Sequence, residues 1–131
     1  MNQLADDAKQ AMIDRWDRVF QTLSAEPRRQ IVVALEEAPP DRALSLPEAA
    51  NPSYLRRDPE ELTVELVHSH LPVLARGDYV RWEREPFTVE RGPAFEEVAV
   101  VFAALQDYAT ELPPQLTEGC QRLEERRRGE P

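Results

Sequence analysis

The stretch LVHSHLPVLARGDYVRWEREPFTVERG, residues 66–92, joins a helical pattern to a strand pattern. Up to Arg76 its apolar residues recur at helical spacing, and Gly77 follows where a helix commonly ends. Val80 and Trp82 then alternate with charged residues, and the same alternation returns after a turn near residues 84–86. The stretch therefore predicts a helix that leads directly into a two-stranded β-hairpin.

Two helices are predicted upstream, before residue 42. The first covers roughly residues 4–23, where apolar residues recur at helical spacing. The second follows Ser24, a residue type that caps helix N-termini, and has Pro27 in its first turn. It ends before the sequence PPD at residues 39–41.

Two further capping patterns predict the helices nearest the hairpin. Ser45 and Glu48 have the spacing of a capping box, which predicts a short helix through Ala50. Asp58 is followed by Pro59 at the first helical position, so a third helix is expected from residue 58 to about residue 76.

A last helix is predicted over residues 94–112, and a charged, frayed tail over residues 113–131. The helix carries one apolar stripe with its acidic residues facing away. The tail contains a basic run at residues 126–128, which is interpreted as a solvated terminus.

Three helices followed by a hairpin match the winged helix-turn-helix plan, in which the third helix enters the major groove of DNA. The fold class expected is mostly α with a small β-hairpin (α+β). We expect a single domain over residues 1–112, with a winged-helix core at about 23–91 and flanking helices at about 4–22 and 94–112.

The composition is acidic and poor in lysine. Asp and Glu outnumber Lys and Arg by 25 to 16, and Lys9 is the single lysine among the basic residues. This pattern is typical of proteins adapted to molar intracellular salt, although an acidic protein from a GC-rich mesophile remains an alternative. A basic footprint for nucleic acid is missing. The lone Cys120 and the lack of a long apolar run indicate a cytoplasmic protein outside the membrane.

The two histidines do not form a metal site on a regular helix. His68 and His70 are two residues apart and point to nearly opposite sides. His70 lies inside the apolar arc and is expected in the core, whereas His68 is expected to face solvent. A helix broken at Pro72 could bring the rings together, which is the alternative. The sequence contains no phosphate loop, zinc or nucleophile motif, so neither an enzyme nor a cofactor is expected.

Three segments resemble ArsR-like winged-helix regulators. HLPVLARGDYV (residues 70–80) is similar to the end of their recognition helix and first wing strand. LSAEPRRQIVVAL (23–35) resembles their second helix, and LSLPEAA (44–50) the first helix of the turn. The HxHLPxL pattern also resembles winged-helix domains of halophilic archaea. Over about residues 23–90 the resemblance implies a dimeric transcriptional regulator that binds double-stranded DNA, without the cysteine pair of its metal-responsive relatives.

In such a fold the third helix and the wing contact DNA. The candidate DNA-binding residues are His68, Ser69 and Arg76 on the helix, with Arg81 and Arg84 on the side of the hairpin away from the core. The alternative for the two wing arginines is an ion pair with a neighbouring glutamate.

Two features favour a different function. The segment NPSYLRRDPE (51–60) lengthens the turn before the third helix, and that helix has a local net charge of −3. A winged-helix protein–protein interaction module without DNA binding is therefore the alternative.

A homodimer is expected through the two flanking helices, because a core of about seventy residues covers only part of their apolar surface. The predicted interface consists of Trp16, Val98, Val101, Phe102, Leu105 and Tyr108. The alternative is that both helices pack on their own winged domain.

Overall fold

The computed structural model describes residues 2–51 and 57–129. Its elements, in chain order, are α1 (Gln3–Thr22), α2 (Glu26–Glu37), β1 (Leu44–Ser45), a 3₁₀ turn (Glu48–Ala50), α3 (Pro59–Glu65), a π-helical turn (Leu66–His70), α4 (Leu71–Arg76), β2 (Val80–Arg84), β3 (Phe87–Arg91), α5 (Phe95–Asp107), a second 3₁₀ turn (Ala109–Glu111), α6 (Pro114–Glu118) and α7 (Gln121–Arg127). The expected α+β class, mostly helical with a small sheet, is confirmed. Most of the long turn predicted after residue 51 lies outside the described residues.

The sheet has three antiparallel strands in the order β1-β3-β2. The hairpin formed by β2 and β3 is where the alternating pattern predicts it, with Trp82 opposite Val89. The strand β1 was not expected. Ser45, predicted as a helix cap, instead pairs with Thr88, and only a single 3₁₀ turn follows it. The cap prediction at Ser45 is therefore wrong.

The residues 59–76 form one composite helix, made of α3, the π turn and α4. Asp58 caps it as predicted, since its carboxylate accepts the N–H of Glu61 at 3.1 Å. Pro72 lacks an N–H, and the N–H of Leu71 reaches back five residues to the carbonyl of Leu66. A π turn beside a proline accommodates the missing donor without breaking the helix.

The core lies between α2, the composite helix, the sheet and α5. Side chains that are at most 1% exposed fill it: Ile31, Val32, Leu35, Leu62, Leu66, Leu71, Leu74, Tyr79, Val89, Val98 and Phe102. Each helix contributes residues three or four positions apart, which is the spacing that places them on one face.

The helix α1 extends away from this core. Every residue from Asn2 to Asp17 is exposed, and burial begins only near its end, at Val19, Thr22 and Leu23. Ser24 does not cap α2; the cap position is Ala25, and the Ser24 hydroxyl donates to the carbonyl of Gln21.

The C-terminal part differs from the prediction in two ways. The helix predicted over 94–112 ends at Asp107 and continues as a 3₁₀ turn. Residues 113–129 are folded rather than frayed, because α6 and α7 return to the body and bury Thr117, Cys120 and Leu123. The segment after residue 112 therefore packs against the domain predicted over residues 1–112, since α7 contacts α5.

Within the described part of the chain, every helix is too short or too polar to cross a lipid bilayer.

Candidate nucleic-acid interface

The candidate interface consists of the exposed face of the composite helix and the hairpin that follows it. His68, Ser69 and Arg76 are exposed, as predicted from the helical pattern. Val64 is also 58% exposed on this helix. The same helix carries Asp58, Glu60 and Glu61 in its exposed first turn, so this surface combines a neutral centre with an acidic end.

A tight turn connects the composite helix to the hairpin. Asp78 adopts a positive φ of 59°, and its N–H donates to the carbonyl of Ala75. Its own carbonyl accepts the N–H of Ala94 at 2.9 Å, and the N–H of Gly92 donates to Tyr79 at 2.9 Å. These bonds tie both ends of the hairpin to the end of the helix, which fixes the direction of the hairpin.

The two wing arginines do not lie on one side of the hairpin. Arg81 and Arg84 are both exposed, but they are three residues apart on β2 and therefore point to opposite faces. Arg84 shares the face of Val80 and Trp82, at the turn end of the hairpin where it lies opposite Phe87. The expectation that both point away from the core is wrong for Arg84.

The three candidate arginines form no salt bridge with any other described residue. Arg76, Arg81 and Arg84 have no salt bridge within 4.0 Å among those residues, so the predicted alternative, a pair with a neighbouring glutamate, is not observed. Several arginines elsewhere do form salt bridges, for example Arg15 with Glu97 and Arg122 with Glu37.

One further cation was missed from the sequence. Arg42 is exposed and likewise has no salt bridge within 4.0 Å among the described residues. It precedes Ala43, which lines the same shallow depression as Arg81. Its position beside the hairpin depends on the pairing of β1 with β3, and that strand was not predicted.

His70 is buried, as predicted, and its partner is Arg28. Arg28 Nη1 lies 2.9 Å from His70 Nδ1, and His70 Nε2 lies 3.5 Å from a carboxylate oxygen of Glu65. Because a guanidinium can only donate, Nδ1 accepts and the proton of the neutral ring is on Nε2. Burial lowers the pKa of His70; the hydrogen bond with Glu65 opposes this, while the nearby charges of Arg28 and Arg57 lower it further.

Arg28 connects the composite helix to the end of α1. Its Nε donates to the carbonyl of Thr22 at 2.7 Å, and Nη2 donates to Gln21 at 3.0 Å and to Ser24 at 3.0 Å. A signal for this role was available, since Arg28 precedes Ile31 by three positions and so shares the buried face of α2. His70 therefore has a structural role and is not part of the candidate interface.

The described part of the chain contains no group of three or more His, Cys, Asp or Glu side chains placed to hold a metal ion.

No protein-family model, curated protein or solved structure matches this chain. The candidate function therefore depends on the geometry described above.

Proposed function

We propose that this chain is a dimeric winged-helix transcriptional regulator of the ArsR-like type, which binds double-stranded DNA at high salt. The observation that carries the proposal is the series of exposed cations along the end of the composite helix and the hairpin, none of which forms a salt bridge with another described residue. Arg76 ends the composite helix, and Arg81 and Arg84 lie on the strand that follows. A helix that enters the major groove beside a wing that reaches phosphate would use these positions.

The order of elements supports the same proposal. A helix, a short strand and a composite helix lead into a hairpin, and the short strand adds to the hairpin through β3. The acidic first turn of the composite helix, with Glu60 and Glu61, opposes contact with phosphate near that end. We therefore assign base contact to His68 and Ser69, nearer the C-terminal half, and phosphate contact to the three arginines.

High salt changes which interactions carry affinity. Counterion release contributes strongly in dilute salt and weakly in molar KCl. A net charge of −9 is then compatible with binding that uses hydrogen bonds and apolar contacts. Recognition would depend on a few well-placed side chains and not on a broad basic surface.

The test is a selection of duplexes from a random-sequence DNA library in molar KCl, followed by anisotropy titration of the selected duplex. Replacing Arg81 and Arg84 together by alanine should weaken binding about tenfold, close to 1.4 kcal/mol, with no loss of folding. The matched control is Arg126→Ala with Arg128→Ala, which removes the same charge from the last turn and the C-cap of α7, away from the hairpin. Equal affinity of both double variants and the wild type would remove the wing from the proposal.

The second candidate is a protein–protein interaction module with the same fold. It is favoured by the exposed acidic turn at Asp58, Glu60 and Glu61, which suits a basic partner surface better than DNA. Failure to select any duplex at any salt concentration, together with a protein that co-purifies with the full chain, would favour the module.

A further inference from the structure

A cavity of about 360 Å³ lies between the end of α1, α5 and the C-terminal helices. Its walls include Phe20, Phe102, Leu105, Leu116, Cys120 and Leu123. All of these belong to one chain, so the cavity is complete without a second copy. It exists because the tail that the sequence indicated as frayed folds back over α5.

The ionisable groups around the cavity are either paired or uncharged. Arg29 is the one charged side chain among the described residues of the lining, and its Nη2 and Nε both donate to Glu26, at 2.6 and 2.9 Å. Its Nη1 donates to the carbonyl of Leu23 at 2.7 Å. Burial raises the pKa of the Cys120 thiol, which keeps it uncharged at neutral pH. A charged ligand would gain no free partner here and would lose its hydration.

The size of the cavity sets the size of the ligand. A cavity of about 150 Å³ lined by apolar side chains holds benzene, and ligand pockets begin at about 300 Å³. The cavity here, at about 360 Å³, therefore suits a molecule of roughly twice the size of benzene. At its rim, the Gln115 side chain is exposed and makes no hydrogen bond to any other described residue. Its amide can form a hydrogen bond with a single polar group on the ligand.

We propose that this cavity binds a small uncharged apolar molecule, aromatic or aliphatic, with at most one hydrogen-bonding group. The site lies away from the hairpin, and the proposal does not depend on whether the chain binds DNA. Ligand and DNA binding can therefore be tested and can fail separately.

The experiment uses the full chain in molar KCl and the probe 1-aminonaphthalene, which is uncharged at neutral pH and fluoresces at shorter wavelength in apolar surroundings. We expect a saturable blue shift with one site per chain and a Kd on the order of 100 µM, as ligand efficiency allows for so small a molecule. Addition of 1-octanol should reverse the shift by competition.

Two variants fill the cavity and one matched variant does not. Leu105→Trp places an indole inside it, and Leu116→Trp extends one across its mouth from a position that is 60% exposed. Both should weaken probe binding at least tenfold. Val100→Trp is the control, because Val100 is 60% exposed on the same helix and lines a different groove, beside Met12 and Trp16. It should bind the probe as the wild type does.

Circular dichroism establishes that each variant is folded, and the exposed Leu116 position provides a test if Leu105→Trp does not fold. A missing saturable shift, or equal probe binding by Leu116→Trp and Val100→Trp, would overturn the proposal. The proposal would also be overturned if probe binding were lost at the concentrations where light scattering gives a dimer mass. A second copy of the chain would then occupy the cavity.

Discussion

The buried pair of Arg28 and His70 links two parts of the chain through a single contact of 2.9 Å. The helical pattern alone indicated that His70 is buried, because its neighbours Leu66 and Leu74 lie on the same apolar arc. The partner could not be derived in the same way. A contact between residues 42 positions apart depends on how α2 packs against the composite helix, and periodicity within one helix contains no information about that packing.

The burial of His70, together with the nearby charge of Arg28, makes the stability of the protein depend on pH. The pKa of His70 is lowered in the folded state, so below its ordinary value of about 6.5 the unfolded chain binds more protons than the folded chain. The contribution of neutral His70 to the free energy of unfolding should therefore be fully present above pH 6.5. Below that pH the free energy of unfolding should fall, by up to about 1.4 kcal/mol per pH unit. Urea unfolding between pH 7.5 and 5.5 measures the slope.

Two asparagine variants isolate this effect. His70→Asn keeps an acceptor for Arg28 but cannot titrate, so its slope over this range should be smaller than that of the wild type. His68→Asn removes the exposed ring and should leave the slope unchanged. A wild-type slope in His70→Asn, or its loss in His68→Asn, would contradict the role assigned to His70.

At the scale of elements, the angle between the composite helix and the hairpin depends on a close approach at Gly92. A Cβ there would lie 2.5 Å from the carbonyl oxygen of Asp78 and 2.9 Å from the nitrogen of Val80, both of them backbone atoms. That carbonyl also accepts the N–H of Ala94. Gly92→Ala must therefore move one strand end away from the turn.

We expect Gly92→Ala to lower the free energy of unfolding by about 2 kcal/mol, as measured by urea denaturation. Gly119→Ala is the control, because the nearest atom to its added Cβ is 3.6 Å away and its backbone is helical. It should change stability by about 0.5 kcal/mol or less. Similar losses in both variants would show that Gly92 does not set the junction.

The elements predicted best are those specified by local signals. Asp58 followed by Pro59 determines where the composite helix begins, and alternation determines the hairpin. The strand β1 could not be predicted, because two residues are too few to show a period and the strand exists only through its pairing with β3. The folding of α7 is equally non-local, since Glu26 accepts the N–H of Gln121 from across 95 positions.

At the scale of the whole molecule, apolar side chains remain exposed along α1 and α5. The residues concerned are Leu4, Met12, Ile13, Trp16, Phe20, Val100 and Tyr108, between 44% and 79% exposed. Two members of the predicted interface do not belong to this surface, because Val98 and Phe102 are buried in the core of their own chain. Val101 and Leu105 are half-buried, and Trp16 and Tyr108 remain accessible. One side of the apolar stripe on α5 is therefore buried in the core, and the other side is exposed to solvent.

This exposed surface suits a homodimer with α1 at its centre. Leu4, Met12, Trp16 and Phe20 are separated by multiples of four residues, so they form one ridge along a helix about 30 Å long. A second copy can pack against the same ridge in an isologous contact, as two-fold regulators require. Light scattering in molar KCl should give a dimer mass for the wild type at micromolar concentration.

Trp16→Glu places a carboxylate at the middle of this ridge, 62% exposed in the single chain but desolvated in the dimer. We expect a monomer mass for this variant at the same concentration, with unchanged circular dichroism. Gln10→Glu adds the same charge to α1 at an exposed position on the opposite face and should remain dimeric. A monomeric wild type would rule out the homodimer. A dimeric Trp16→Glu would place the interface away from α1, because burying an unpartnered carboxylate at the centre of an interface strongly opposes association.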